Sequence, residues 1–201
     1  MGGRSGGGGA FSGKGDSNYK GKISGVETLK NIKDKKLYNA MKSAISRYYA
    51  ALGMPQKEVK LADLQGAYGV HVTENGKSKG VYLNKAIFKG GTVKSVTEQK
   101  KKDYKSGWAT KTGKPVAHTL THELAHATWN SHLTSTKAKA ASKEIKALYK
   151  KWSGDKRKKG YGKYSKTNVN EFWAETITKG IHGKSDKYTK AAISIAKKYK
   201  L

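Results

Sequence analysis

The chain has 201 residues, 35% of them hydrophobic and including twelve Tyr and four Trp, a length and composition that predict one folded domain with a sizeable core rather than a disordered chain. Lysine and arginine total 42 against 14 acidic residues, and the net charge of +28 predicts non-specific attraction to polyanions. Only three of the 42 are arginine, which disfavours sequence-specific recognition of nucleic acid. Cysteine is absent, so disulfides and thiolate metal ligands are excluded.

The N-terminal segment is rich in glycine, which supplies ten of the first 25 residues without hydrophobic periodicity. This composition predicts a flexible tail over residues 1–25, followed by a single domain over residues 26–201. The first thirty residues lack the apolar segment of a classical signal peptide, and no apolar run reaches the ~18 residues of a membrane span. We expect the protein to be a monomer that is encoded by a phage or mobile element or is part of a toxin. It would then be associated with a virion or exported by a non-classical route.

The first half of the domain is predicted to hold one helix and a small sheet. Apolar residues recur every three to five positions over 26–52, which predicts an amphipathic helix that ends before Gly53. Residues 57–89 instead carry short runs of β-formers around a turn at 74–77, which predicts an antiparallel sheet. The charged stretch 90–115 is rich in turn formers and is predicted to be an irregular connection.

The second half of the domain is predicted to be helical. Pro115 stands where a helix is expected to begin, and the segment that follows carries a histidine motif. The predicted ranges are 116–130 and 136–152 for the first two helices, 152–166 for a loop, and 168–180 and 185–200 for the last two helices. Strands that precede helices in this way predict an α+β fold, with a small antiparallel sheet packed against helices.

The histidine motif reads His-Glu-Leu-Ala-His at positions 122–126. Residues four apart lie on one face of a helix, so His122 and His126 can bind the same metal ion while Glu123 projects beside them. A catalytic zinc site has three protein ligands and one position open to water, so the motif leaves one ligand to be found.

Two histidines near the motif are weaker candidates for the third ligand. His132 has the spacing that metzincins use, but Trp129 stands where those enzymes have the glycine that breaks the helix. On an unbroken helix, His132 would lie roughly 120° away from the face of His126. His118 is one turn before His122, and three ligands in a straight helical row would span about 12 Å, too far for one ion. We expect His118 to support the site or to lie at the surface.

Glu171 is the third candidate, and it lies in a predicted helix together with Glu175, one turn further on. The two carboxylates share a face, so Glu171 can bind the ion while Glu175 accepts the second ring N–H of a ligating histidine. Another role stays open, because Asn168 and Glu171 also have the spacing of a helix capping box, in which Glu171 would accept a backbone N–H.

These motif residues resemble the catalytic domain of anthrax lethal factor and its relatives. The histidine motif is followed, 45 residues after His126, by Glu171. The sequence Tyr-Ser-Lys-Thr-Asn at 164–168 leads into Asn-Glu-Phe-Trp-Ala-Glu at 170–175. Order and spacing match that family over residues 118–180, whereas the segments upstream are compatible only in kind.

The resemblance implies a zincin-like fold of the gluzincin type and one Zn²⁺ ion per chain. It implies roles for six residues: zinc ligands at His122, His126 and Glu171, a general base at Glu123, a phenol over the reacting carbonyl at Tyr164, and a carboxylate that orients a ligand at Glu175. Ala125 departs from the glycine that the family has at this motif position. The toxin's receptor-binding and substrate-docking regions are not seen, so cell entry and kinase specificity are not implied.

Four other features have predicted roles. Tyr161 competes with Tyr164 for the role of the phenol. His71 is predicted to be a packing histidine on a strand, and His182 a cation at a helix end. The segment 80–88 is predicted to form the sheet edge along which a peptide substrate binds.

The expected function is that of a zinc metalloendopeptidase, which hydrolyses a protein or peptide substrate through a metal-activated water with Glu123 as general base. Two alternatives stay open. A DNA-associated protease of the SprT-like type would use the basic surface to bind nucleic acid and would be stimulated by DNA. A non-catalytic, basic structural or nucleic-acid-binding protein would carry the motif without a metal.

Overall fold

The computed structural model describes residues 21–54, 56–74, 77–130 and 136–201. Within these ranges the chain forms seven α-helices and one four-stranded sheet, which confirms the predicted α+β class. Residues 1–20 of the predicted tail lie outside these ranges, as does His132. None of the described helices combines the length and the hydrophobicity that crossing a bilayer requires.

The first predicted helix begins later than expected. Residues Ile23–Thr28 form strand β1 and Leu29–Asn31 form a 3-10 turn, before helix α1 at Lys35–Leu52. Helix α1 starts where the Asp34 side chain accepts a backbone N–H of the first turn at 2.6 Å, and it ends at Gly53 in the left-handed conformation. Regular structure therefore begins within the predicted tail, because apolar spacing alone does not separate a strand and a turn from the start of a helix.

The sheet is mixed rather than antiparallel as predicted. Its other strands are β2 (Val59–Leu64), β3 (Gly69–Glu74) and β4 (Lys77–Asn84), in the order β1-β2-β4-β3. Strands β3 and β4 form the predicted hairpin, and β1 pairs antiparallel with β2, but β2 and β4 are parallel. The chain leaves β2 for the far edge of the sheet, and the hairpin then returns β4 to the position beside β2.

This strand order corrects the prediction that residues 80–88 form the edge for a substrate. Residues 80–84 belong to the interior strand β4, and Lys85–Phe88 form the short helix α2. The two edges are β1 and β3. Strand β3 contacts the helix that carries the histidine motif, so β3 is the edge that borders the candidate site.

The stretch 90–115 contains a helix that the sequence analysis did not predict. Helix α3 spans Val93–Lys105 and begins with a capping box, in which the side chains of Thr92 and Ser95 each accept the other's backbone N–H. Its sequence is rich in Lys, Glu and Gln, which favour helix even where the apolar pattern is weak. Val96 packs α3 against the core.

The remaining four helices match their predicted ranges to within two residues at each end. They are α4 (Pro115–Asn130), α5 (Thr136–Gly154), α6 (Val169–His182) and α7 (Lys187–Tyr199). Helices α4 and α6 pack together in the core, where the indole N–H of Trp173 donates to the carbonyl oxygen of Ala125 at 3.2 Å. Both helices are buried along most of their length, so polar side chains between them are shielded from water.

Candidate metal centre

Helix α4 presents the histidine motif to helix α6. His122 and His126 stand one turn apart on α4, and 5% and 1% of their respective surfaces are exposed. Helix α6 begins at Asn168, whose side chain accepts the backbone N–H groups of Asn170 and Glu171. Because this cap starts the helix there, Glu171 lies in its first turn, and its carboxylate reaches both histidines of α4.

Three donor atoms converge between α4 and α6. The Nε2 atoms of His122 and His126 lie 3.1 Å apart, and Oε2 of Glu171 lies 3.0 Å from the first and 3.4 Å from the second. Zinc binds nitrogen and oxygen ligands at about 2.0–2.2 Å in tetrahedral sites, so its ligand atoms are roughly 3.3–3.5 Å apart. The separation of 3.4 Å falls in this range, and the two of 3.0 and 3.1 Å are roughly 0.2–0.3 Å shorter, so a small outward shift of the side chains would form one face of such a tetrahedron.

The carboxylate of Glu171 has the surroundings of a metal ligand rather than of a helix cap. It is fully buried, and its Oε2 is in ion-pair range of both imidazoles. Among the described residues no hydrogen-bond donor is well aligned with either of its oxygens. Burial raises the pKa of Glu171, but the neighbouring His126 and His122 outweigh burial and lower the pKa to about 2. A buried ionised carboxylate needs a cation beside it, which a charged His122 supplies without a metal. Two imidazoles and one carboxylate are also a donor set that binds a divalent zinc ion.

Glu175 lies one turn after Glu171 and contacts the opposite side of the His122 ring. Its Oε1 lies 3.0 Å from Nδ1 of His122 and 3.0 Å from Nε2 of His118. Its Oε2 accepts the backbone N–H of Thr110 at 2.6 Å. Three donors therefore surround this fully buried carboxylate.

These contacts set the tautomer of His118 and the ring orientation of His122. Burial lowers the pKa of His118, so its neutral ring accepts the Tyr104 hydroxyl at Nδ1 (3.0 Å) and donates from Nε2 to Glu175. Burial raises the pKa of Glu175, but the contacts with His118 and His122 outweigh burial and hold the pKa well below 4.5. Burial lowers the pKa of His122, but the contacts with Glu171 and Glu175 outweigh burial and raise it well above 6.5, so without a metal the ring carries a charge. In a zinc-bound ring, Nδ1 would still donate to Glu175 and the lone pair of Nε2 would be left for the ion.

Two groups of residues within the described ranges have the spacing to hold a metal ion. One is His122 with His126 and Glu171, and the other is His118 with His122 and Glu175. In the second group, both histidines are already bonded to Oε1 of Glu175. The first group is therefore the candidate metal centre, and His118 supports it from a buried position rather than at the surface.

Glu175→Gln is expected to weaken zinc binding by roughly 10- to 100-fold, as loss of a residue that orients a ligating histidine does. Glutamine keeps the size of the side chain, but its NH₂ group would face at least one of the three N–H donors that the carboxylate accepts. Competition with a fluorescent chelator measures the zinc affinity. The matched control is Glu98→Gln on the exposed face of α3, and equal affinities in the two variants would refute an orienting role for Glu175.

Glu123 lies beside strand β3. A Cβ atom built on Gly69 would come within 3.1 Å of Cγ of Glu123 and within 3.1 Å of Cγ2 of Thr119. Glycine at this position therefore lets the edge strand run against the motif helix. The candidate base is next to His122 in the chain and next to the β3 edge in space.

The structure separates the two candidate phenols. The ring of Tyr164 stacks on the ring of His122, with centroids 5.5 Å apart and planes at 13°, and it also stacks on Trp108 at 5.2 Å. Tyr161 instead donates its hydroxyl to Asp186 at 3.1 Å. The structure thus brings Tyr164, and not Tyr161, to the candidate metal centre.

His71 and His182 lie outside the candidate metal centre, and both are buried. Nε2 of His71 lies 2.9 Å from the hydroxyl of Ser78, and burial lowers the pKa of His71 to about 3, in keeping with a packing histidine. The prediction that His182 is a cation is wrong. Burial lowers its pKa to about 4, and its Nε2 lies 2.8 Å from the hydroxyl of Thr121, so the ring is neutral at pH 7.

Three residues that contact the site were not predicted from the sequence: Tyr104, Trp108 and Thr110. They bond to His118, stack on Tyr164 and donate to Glu175, respectively. All three fall in the stretch 90–115, and their positions follow no helical spacing relative to the histidine motif. No local pattern marks them, because each contact joins segments that are distant in the chain.

The functional argument depends on the geometry between α4 and α6. The resemblance of the motif residues to the lethal factor catalytic domain stays a prediction. No protein-family model, curated protein or solved structure matches the chain.

Proposed function

We propose that the protein is a zinc-dependent metallopeptidase that binds one Zn²⁺ ion through His122, His126 and Glu171. The observation that carries the proposal is the buried triangle of two imidazole nitrogens and one carboxylate oxygen, 3.0–3.4 Å apart. Zinc bound there supplies a Lewis acid that polarises a peptide carbonyl and lowers the pKa of a water molecule.

Three further residues have roles in the proposed reaction. Glu123 accepts a proton from the attacking water and passes it to the leaving amine. Tyr164 donates a hydrogen bond to the oxyanion that forms at the reacting carbonyl. Glu175 holds His122 in the tautomer that carries its proton on Nδ1.

The β3 edge supports a protein or peptide substrate that binds in an extended conformation. Backbone groups of an edge strand can pair with an added peptide strand, and this edge passes Glu123 at Gly69. A peptide paired with β3 would bring its scissile bond close to the general base. The motif likeness to lethal factor, which is a protease, supports the same reaction class.

Incubation of the zinc-loaded protein with a proteome-derived peptide library tests the proposed function. New peptide termini are expected with zinc, none after chelation, and the same termini again after zinc is restored. Strong stimulation by added double-stranded DNA would favour the SprT-like alternative. A library that zinc-loaded protein leaves intact would contradict a peptidase.

Tyr164→Phe is expected to lower kcat by roughly 100-fold, within the range for loss of one donor to an oxyanion. The phenylalanine ring keeps the stacking on His122, so zinc content and KM should stay near those of the wild type. Tyr161→Phe is the matched control, because the Tyr161 hydroxyl donates to Asp186 and not to the candidate metal centre. If Tyr161→Phe lowers kcat and Tyr164→Phe does not, the phenol is assigned wrongly.

A further inference from the structure

A concave site that we term the basic cleft lies between the loop at 111–113, the segment 155–160 and the loop that joins α6 to α7. Its volume is about 910 Å³, within the usual size of small-molecule sites. Seven of its lining side chains are Lys or Arg and two are Asp, which gives a net charge of +5 because His182 is neutral. None of these residues belongs to the candidate metal centre.

The two carboxylates of the basic cleft are already paired. Asp186 accepts from Lys179 at 2.5 Å, and Asp155 accepts from Lys187 at 2.7 Å. Three of the other five cations have exposed side chains and no ion pair among the described residues: Lys111, Lys159 and Lys184. Arg157 lies 3.8 Å from Asp155, and Lys158 donates to the carbonyl oxygens of Ser153 and Asp155. Within the described residues no carboxylate offsets the charges of Lys111, Lys159 and Lys184, so an anion of high charge density would stabilise this part of the molecule.

The lining of the basic cleft favours a phosphate-rich small molecule over a nucleic acid strand. Lysine ammonium groups act as point charges for phosphate oxygens, whereas recognition of bases depends on arginine forks and on exposed aromatic rings. Tyr188 is the one Tyr, Trp or Phe that lines the described cleft, and it is buried with its hydroxyl donating to Asp155 at 2.6 Å. It therefore presents no free face on which a base could stack.

We infer that the basic cleft binds a small anion that carries several phosphoryl groups, such as an inositol polyphosphate or a short polyphosphate. Lys111, Arg157, Lys159 and Lys184 reach it from the separate segments that form the walls. One ligand would thus join the 111–113 loop, the start of the α5–α6 connection and the loop between α6 and α7. The expected consequences are binding at one site per chain and a higher melting temperature.

The walls of the basic cleft are also bonded to the motif helix. The carbonyl oxygen of His182 accepts the backbone N–H of Gly113 at 2.7 Å, and the ring of His182 lies 2.8 Å from the hydroxyl of Thr121. Thr121 directly precedes the zinc-ligand candidate His122. Ligand binding should therefore protect amides of the motif helix from hydrogen exchange, in addition to those of the cleft loops.

Calorimetric titration of the full chain with inositol hexakisphosphate tests this inference. The double variant Lys159→Gln/Lys184→Gln is expected to bind at least about tenfold more weakly than the wild type, because two charge contacts are lost. The control Lys139→Gln/Lys146→Gln removes the same charge from the exposed face of α5 and should change the affinity less than about twofold. A parallel titration with tripolyphosphate determines which source of phosphoryl groups binds more tightly, and one-to-one binding of either supports the inference.

Three results would overturn the inference. The first is equal weakening in the cleft and control variants, which would mean that overall charge governs binding. The second is a stoichiometry of several ligands per chain. The third is that a single-stranded oligonucleotide, at the same concentration of phosphate groups, binds more tightly than inositol hexakisphosphate and displaces it. That result would identify a nucleic acid surface. Circular dichroism checks that both variants fold, and none of these measurements depends on peptidase activity.

Discussion

Glu123→Gln is expected to lower the rate of peptide hydrolysis by about a thousandfold, in the range lost with a general base, while one zinc ion stays bound per chain. The reason is that the metal ligands and the base are different residues. His122, His126 and Glu171 supply the converging donor atoms, whereas Glu123 supplies the proton acceptor. Glutamine has almost the same shape but accepts no proton at neutral pH. Single-turnover cleavage of a peptide from the library measures the rate, and elemental analysis measures the zinc.

The control for this variant is again Glu98→Gln, which removes one carboxylate from the exposed face of α3. It should hydrolyse the peptide at the wild-type rate. Full activity in purified, zinc-loaded Glu123→Gln would reject Glu123 as the base. Loss of zinc together with activity would instead mean that Glu123 belongs to the metal-binding set.

Glu171→Ala is expected to lose both stoichiometric zinc and peptidase activity. Its carboxylate is the one acidic donor in the triangle, and two imidazoles alone do not complete a catalytic zinc site. The wild type should also be stabilised by zinc: at a free concentration 100 times the Kd, the gain is about 2.7 kcal/mol, or roughly 5–10 °C in Tm for a domain of this size. The variant should lack this response to zinc in a thermal melt.

Glu171→Gln separates the loss of a metal ligand from the loss of volume. Glutamine keeps the side chain in the space between α4 and α6 but removes the charge, so zinc affinity should fall while the metal-free protein stays folded. An unchanged difference in Tm between zinc-loaded and chelated protein, in both variants, would show that the ion does not bind to Glu171.

The helices that carry the site were predictable from the sequence because their signals are local. Helices α4 and α6 have apolar periodicity, a proline at the first position of one and an asparagine cap on the other. The strand order was not predictable from the sequence. The parallel pairing of β2 with β4 arises because the chain passes from β2 to the outer position of β3 before β4 returns beside β2, and no local pattern indicates this path. Helix α3 was missed because its sequence has few apolar residues and its capping pair is Thr92 with Ser95 rather than the usual Glu.

Within the site, the sequence indicated the residues that stand at helical spacing and missed those that do not. His122 and His126, and likewise Glu171 and Glu175, are pairs four residues apart, and the structure brings the two pairs together. Thr110 donates to Glu175 from 65 residues away, and no sequence pattern encodes that contact. The assignment of His182 as a cation failed for a similar reason, because its position in the chain shows a helix end but not its burial.

Anomalous scattering at the zinc absorption edge, from crystals of the zinc-loaded protein, tests the central claim most directly. The account predicts one strong peak per chain, about 2.0–2.2 Å from Nε2 of His122, Nε2 of His126 and a carboxylate oxygen of Glu171. A peak beside His118 and Glu175, or no peak between α4 and α6 at full zinc loading, would contradict it.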